Sequence, residues 1–132
     1  MPEVVIDAVP PTQKTHKEVH IALDFDGTLA HYETWDAQFH KVGAPIELMV
    51  NHLKDWLSKG YKVSIFTARL SHSKVESEQA IEAISKFLVE NGLPILPITC
   101  CKMYYFTHFV DDKAYHAYKN SGFIYPELNF NL

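Results

Sequence analysis

The stretch Asp24-Phe25-Asp26-Gly27-Thr28-Leu29 decides how this chain is read. It ends an apolar run, broken only by His20, that predicts a buried strand over residues 19–25. Two carboxylates one residue apart at the end of a buried strand are costly, because like charges repel and burial disfavours the ionised form. Such a pair persists where a cation sits between the two acids or where one of them carries a proton. Gly27 lets the backbone turn sharply and approach a ligand closely. Those needs meet in metal-assisted phosphoryl transfer through an aspartate nucleophile.

Downstream, apolar residues Ile46, Met49, Val50, Leu53, Trp56 and Leu57 recur at helical spacing. Pro45 suits the first helical position and Gly60 the end. A strand is predicted over residues 61–67. Ser73 and Glu76 read as a capping box opening a second helix, with Ala80, Ile81, Ile84, Phe87 and Leu88 as its buried face and Asn91-Gly92 as its close. Further strands are predicted over residues 96–100 and 107–110, and a last helix over residues 114–120. Alternating strands and helices imply an α/β fold with a mostly parallel central sheet. Ligands in such sheets bind beyond the carboxyl ends of the strands. Asp24 and Asp26, Thr67, and Asp111 and Asp112 all fall at strand ends, and Lys102 lies just past the third strand.

The chain has 132 residues, a size that suits one domain, and its hydrophobic fraction of 47% is ordinary for a globular protein. With a net charge of -4 and no basic tract, broad electrostatic binding to nucleic acid is disfavoured, so nucleic acid enters only as a substrate. No apolar run approaches the ~20 residues of a membrane span. Glu3 and Asp7 make the N-terminus unlike a signal peptide. The adjacent pair Cys100-Cys101 is badly placed to bridge, which points to a reducing cytoplasm. Residues 1–18 read as an arm, 19–122 as the folded domain, and 123–132 as an apolar tail that packs on the body or on a partner, with a homo-oligomer as one form.

Taken together, these residues resemble the haloacid dehalogenase (HAD) superfamily. Asp24-Phe25-Asp26-Gly27-Thr28 looks like its first motif, Thr67 after Val63-Ser64-Ile65-Phe66 its second, Lys102 its third-motif lysine, and Asp111-Asp112 after Phe109-Val110 its fourth. The resemblance spans residues 19 to about 120. It implies a Rossmann-like, three-layer sandwich and Mg²⁺-dependent phosphoryl chemistry. Residues 29–44 are too few for a cap domain, and Lys102 lies only nine positions before Asp111. Short phage and bacterial members are similar in this compactness.

Carried over residue by residue, the resemblance implies that Asp24 attacks phosphorus and that Asp26 protonates the leaving group and then activates water. Asp24, the Asp26 carbonyl and Asp111 would hold Mg²⁺, with Asp112 supporting the metal or orienting Lys102. The Thr67 hydroxyl and the Ala68 amide would bind phosphoryl oxygens, and Lys102 would neutralise them, with Lys113 as its rival. Arg69 either grips a substrate phosphate or carboxylate bidentately or pairs with a surface acid. Thr28 braces the loop. Tyr32, Trp35 and Phe39 lie in the loop that would overhang the site, where aromatics either stack on substrate or pin the loop to the core; pinning is the expectation for Trp35 and Phe39.

The function expected is therefore hydrolysis of phosphate monoesters through an aspartyl-phosphate, on a nucleotide, a nucleic-acid end or another phosphorylated compound. A phosphotransferase and a non-catalytic metal- or phosphate-binding domain are the rivals. The second is disfavoured by the presence of both Asp24 and Asp26, since a binder needs no acid/base.

Overall fold

The computed structural model describes residues 18–33 and 38–128. Most of the expected arm, Trp35 and the last four residues of the tail lie outside the described residues. Four parallel strands form one sheet: β1 (His20–Leu23), β2 (Lys62–Phe66), β3 (Ile98–Thr99) and β4 (His108–Val110), in the order β3-β2-β1-β4. Two helices, α1 (Glu47–Ser58) and α2 (Lys74–Glu90), join them into a Rossmann-like α/β fold. No helix among the described residues is long and apolar enough to cross a membrane.

The helices form where their signals stand. Ser73 Oγ accepts the Glu76 amide while Glu76 Oε1 accepts the Ser73 amide, so the capping box is complete. Ala80, Ile84, Phe87 and Leu88 are buried along α2, whereas Ile81, expected on that face, is exposed. α1 begins two residues after Pro45 and has no side-chain cap. Its entry is held instead by the Ile46 amide, which donates to the Leu29 carbonyl at 2.9 Å. Gly60, at a φ of +82°, ends it.

Side chains alternate across a strand, and here the alternation separates two unlike faces. Ile21 and Leu23 of β1 and Val63 and Ile65 of β2 join Val50 and Leu53 of α1 and Ile84, Phe87 and Leu88 of α2 in one core. Full burial of a side chain such as Leu23 or Leu53 contributes about 1.5–3 kcal/mol. Both helices thus pack on one face. The other face carries His20, Ala22, Ser64 and Phe66, and is covered by a turn rather than a helix. The rings of Tyr105 and Phe106 lie 4.7 and 5.1 Å from His20, and Phe106 meets Phe66. The expected three-layer sandwich therefore does not form among the described residues. The cause is chain length: residues 100–107 alone carry the chain from β3, past β2 and β1, to β4.

A second correction concerns residues 114–120. They form no helix; β5 (His116–Ala117) and β6 (Ile124–Tyr125) make an antiparallel hairpin. Asn120 and Gly122, at φ of +59° and +83°, turn the chain in a way a helix cannot use. Tyr115 and Tyr118 are aromatic residues that favour extended backbone and offer only a narrow apolar stripe. Phe123, Ile124 and Tyr125, at the start of the expected tail, are exposed on this hairpin within the single chain.

Candidate functional site

Phe25 is the pivot of the site. Its ring is fully buried edge-on against Phe87, so the alternation of the strand turns Asp24 and Asp26 to the opposite side. Its carbonyl accepts the amides of Thr28, Leu29 and Ala30 at 3.2, 2.9 and 3.0 Å, which curls the loop tightly around the strand end. Gly27 takes a φ of +83° in this curl, and a Cβ there would sit 2.8 Å from Asp112 Oδ2. The glycine is thus required twice, by the backbone angle and by the acid beside it.

β4 delivers the other two acids. The Asp24 amide donates to the Val110 carbonyl at 2.9 Å, which sets the end of β4 beside the end of β1. One oxygen from each of Asp24, Asp111 and Asp112 lies within 4.8 Å of the other two. The Thr28 hydroxyl stitches the two strand ends together. It lies 3.1 Å from Asp24 Oδ2 and 3.3 Å from Asp112 Oδ1, with one proton to give, and it accepts the Asp112 amide at 3.1 Å. No helix follows for Asp111 to cap; its Oδ1 accepts the Lys113 amide in a local turn at 2.8 Å.

This crowding has an electrostatic consequence. The Asp24 carboxyl is pushed up to about 7, chiefly by burial, then by its hydrogen bond with the Asp112 carboxyl and by the Asp111 charge. The Thr28 hydroxyl and the Phe25 amide act in the opposite direction but do not prevail. Three carboxylates that cannot all ionise comfortably together make a site that gains from a cation. The donors are all hard oxygens, which suits Mg²⁺, Ca²⁺ or Mn²⁺ without choosing among them.

Asp26 stands apart from this cluster of three. Arg69 Nε donates to its Oδ2 and Nη2 to its Oδ1, both at 2.7 Å, and Nη1 donates to the Phe39 carbonyl at 3.0 Å. Arg69 is only 6% exposed, and its guanidinium carbon lies 5.7 Å from the Phe25 ring centroid. Arg69 pairs with an acid, and that acid is Asp26 of the site rather than the surface acid expected from the sequence. The edge that could clasp a substrate anion is committed to Asp26. Phe39 is buried with its ring edge-on to His72, so it pins its loop to the body as expected.

Thr67 is buried at the end of β2, where its Oγ1 accepts the Arg69 amide at 3.2 Å and caps a single 3₁₀ turn, Ala68–Leu70. Asp24, Asp26, Thr67, Ala68, Arg69, Asp111 and Asp112 all line one cavity of about 520 Å³. Lys113 also lines it, whereas Lys102 does not; the Lys102 ammonium lies 5.3 Å from the Phe109 ring centroid. Between the two lysines left open by the sequence, Lys113 is the one beside the acids. Tyr32, Phe66, Ser71, His72 and Cys100 complete the wall. The sequence marks Tyr32 as an overhanging aromatic and Phe66 only as a strand residue before Thr67; Ser71 and His72 carry no motif of their own, although they follow Arg69 closely in the chain. Cys100, the last residue of the strand expected over residues 96–100, lies beyond β3 and is exposed at the cavity. No family model, curated protein or solved structure matches the chain, so the chemistry of this site rests on its own geometry.

Proposed function

We propose that this chain is a capless phosphatase of the HAD superfamily, dependent on a divalent cation, that hydrolyses phosphate monoesters through an aspartyl-phosphate. The observation that carries this reading is the meeting of Asp24, Asp111 and Asp112 within 4.8 Å at two neighbouring strand ends, in the chain order of the family's motifs. Asp24, Asp111 and Asp112 would hold the cation, with Mg²⁺ as the expected ion. When bound, it supplies positive charge to the phosphoryl oxygens.

In the first step an Asp24 oxygen bonds to phosphorus and the bond from phosphorus to the leaving alcohol oxygen breaks. That oxygen takes a proton and departs as the alcohol. Water then attacks the aspartyl-phosphate, releasing inorganic phosphate and restoring the Asp24 carboxylate. Asp26 is the acid and base for both proton transfers. Both of its oxygens accept from Arg69, so it exchanges a proton only as that clasp loosens. Ala68 and Lys113 line the same cavity, and the Ala68 amide and the Lys113 ammonium would bind the phosphoryl oxygens.

Phosphate release from a panel of nucleotides, sugar phosphates, phosphopeptides and phosphorylated DNA ends, with Mg²⁺ and with chelator, tests the reading. Release is expected with Mg²⁺, to vanish with chelator, and to fall by about 10³-fold or more in Asp24→Asn. No release from any compound, or release that survives Asp24→Asn, would overturn it. The Arg69 clasp favours one second reading, a domain that binds cation and phosphate without turnover and uses Asp26 only as the counter-ion of Arg69. Cation binding without phosphate release would select it.

A further inference from the structure

We propose, on the phosphatase reading above, that the substrate carries a single phosphoryl group on an alcohol of nucleoside size with a flat aromatic part: a nucleoside monophosphate. Two features of the cavity point this way. Its volume of about 520 Å³ is that of a small-molecule site, so it can seat a substrate of nucleoside size without a cap. Its wall is also divided in chemistry. The acids sit at the ends of β1 and β4, while Tyr32, Phe66 and His72 come from three other points of the rim. Two of these rings are braced: His72 meets Phe39 at 4.6 Å and Phe66 meets Phe109 at 5.9 Å, so they present faces or edges at little cost in side-chain freedom. Rings at the wall of a phosphoryl site offer stacking to any base, because every base has a π-face.

Charge sets the number of phosphates. Among the described residues that line the cavity, the only lysine or arginine side chains are Arg69 and Lys113, against four aspartates. Arg69 already serves Asp26. A divalent cation and Lys113 can offset one phosphoryl dianion beside these acids. A second or third phosphate would bring further negative charge with no basic side chain to meet it. Nucleoside di- and triphosphates are therefore disfavoured, and so is a sugar phosphate that leaves the rings uncovered.

The test compares a nucleoside 5′-monophosphate, its triphosphate and ribose 5-phosphate. Phosphate release is followed in the wild-type protein with Mg²⁺. Binding of the same three compounds to Asp24→Asn is measured by calorimetry. The monophosphate is expected to exceed ribose 5-phosphate at least tenfold in kcat/KM and in affinity, and to exceed the triphosphate by a similar factor. Tyr32→Ala and His72→Ala are each expected to narrow the ratio of monophosphate to ribose 5-phosphate at least threefold. Equal handling of the three compounds, preference for the triphosphate, or a ratio unmoved by both variants overturns the proposal. The expected binding preference without phosphate release keeps the substrate class and overturns the phosphatase reading. Release without preference does the reverse, and neither binding nor release overturns both.

Discussion

Arg69 holds both oxygens of Asp26 at 2.7 Å, one through Nε and one through Nη2, from a position almost closed to solvent. The pair ties the turn after β2 to the loop after β1, and the Phe39 carbonyl carries the tie further along that same loop. Removing one partner strands the other. Arg69→Ala is expected to lower unfolding free energy by about 2–4 kcal/mol, with Arg69→Lys recovering little because an ammonium cannot span both oxygens. A double-mutant cycle with Asp26→Asn in urea should give a coupling of about 1–3 kcal/mol. Strict additivity would show that the clasp does not contribute to stability.

The raised carboxyl of Asp24 makes a prediction about pH in the chelated protein. Its folded pKa of about 7 lies above the ordinary 3.8, so between these values the folded state binds more protons than the unfolded one. Stability is then fully present below about pH 4 and declines as pH rises through 7. Asn cannot ionise, so Asp24→Asn should escape that decline. Its advantage over wild type should be small at pH 4 and grow to about 1–2 kcal/mol at pH 8, allowing for the solvent that still reaches the group. Thermal melts across pH check this; a difference that stays flat with pH would mean that Asp24 titrates normally.

Asp111→Asn removes one of three clustered charges and should weaken divalent binding. At least a tenfold rise in the Mg²⁺ concentration for half-saturation is expected, read by calorimetry and, where turnover is measurable, by metal titration of phosphate release. The variant should fold, since among the described residues the Asp111 side chain's hydrogen bond, to the Lys113 amide, is local. An unchanged metal requirement would take Asp111 out of the cation site.

Gly27→Ala brings a Cβ to within 2.8 Å of Asp112 Oδ2 at a φ that only glycine adopts readily. A cost of about 1–2 kcal/mol in stability is expected from the backbone angle alone. The Asp112 carboxyl must also swing away, so divalent affinity should drop at least threefold. If stability falls and affinity holds, Asp112 is not one of the groups that grip the cation.

What the sequence disclosed, and what it withheld, follows the range of the forces involved. The strand before Asp24, the capping box at Ser73 and Glu76, and the stop at Gly60 are local patterns, and each element appears where its pattern lies. The convergence of Asp24, Thr67 and Asp111 could be read because parallel strands deliver their ends to one rim. The last helix misled because seven residues with Tyr115 and Tyr118 carry too little periodicity to separate helix from hairpin, and the positive φ of Asn120 is not written in its identity. That no third layer forms among the described residues follows from the few residues, 100–107, between β3 and β4. The Arg69 clasp on Asp26 joins side chains 43 positions apart, a range over which no local pattern pairs one arginine with one acid.

The eight-residue run over the aromatic face of the sheet also orders events in time. β4 lies at the edge beside β1, and that pairing joins residues farther apart in the chain than any other pairing in the sheet. The helices depend on nearby sequence, while the acids of β4 depend on the most distant pairing in the sheet. During refolding, far-ultraviolet ellipticity should therefore recover before the capacity to bind a divalent ion. Simultaneous recovery would put β4 in the folding nucleus. The ion then recognises only the finished molecule, and a chain stalled one strand short would be helical, compact and chemically silent.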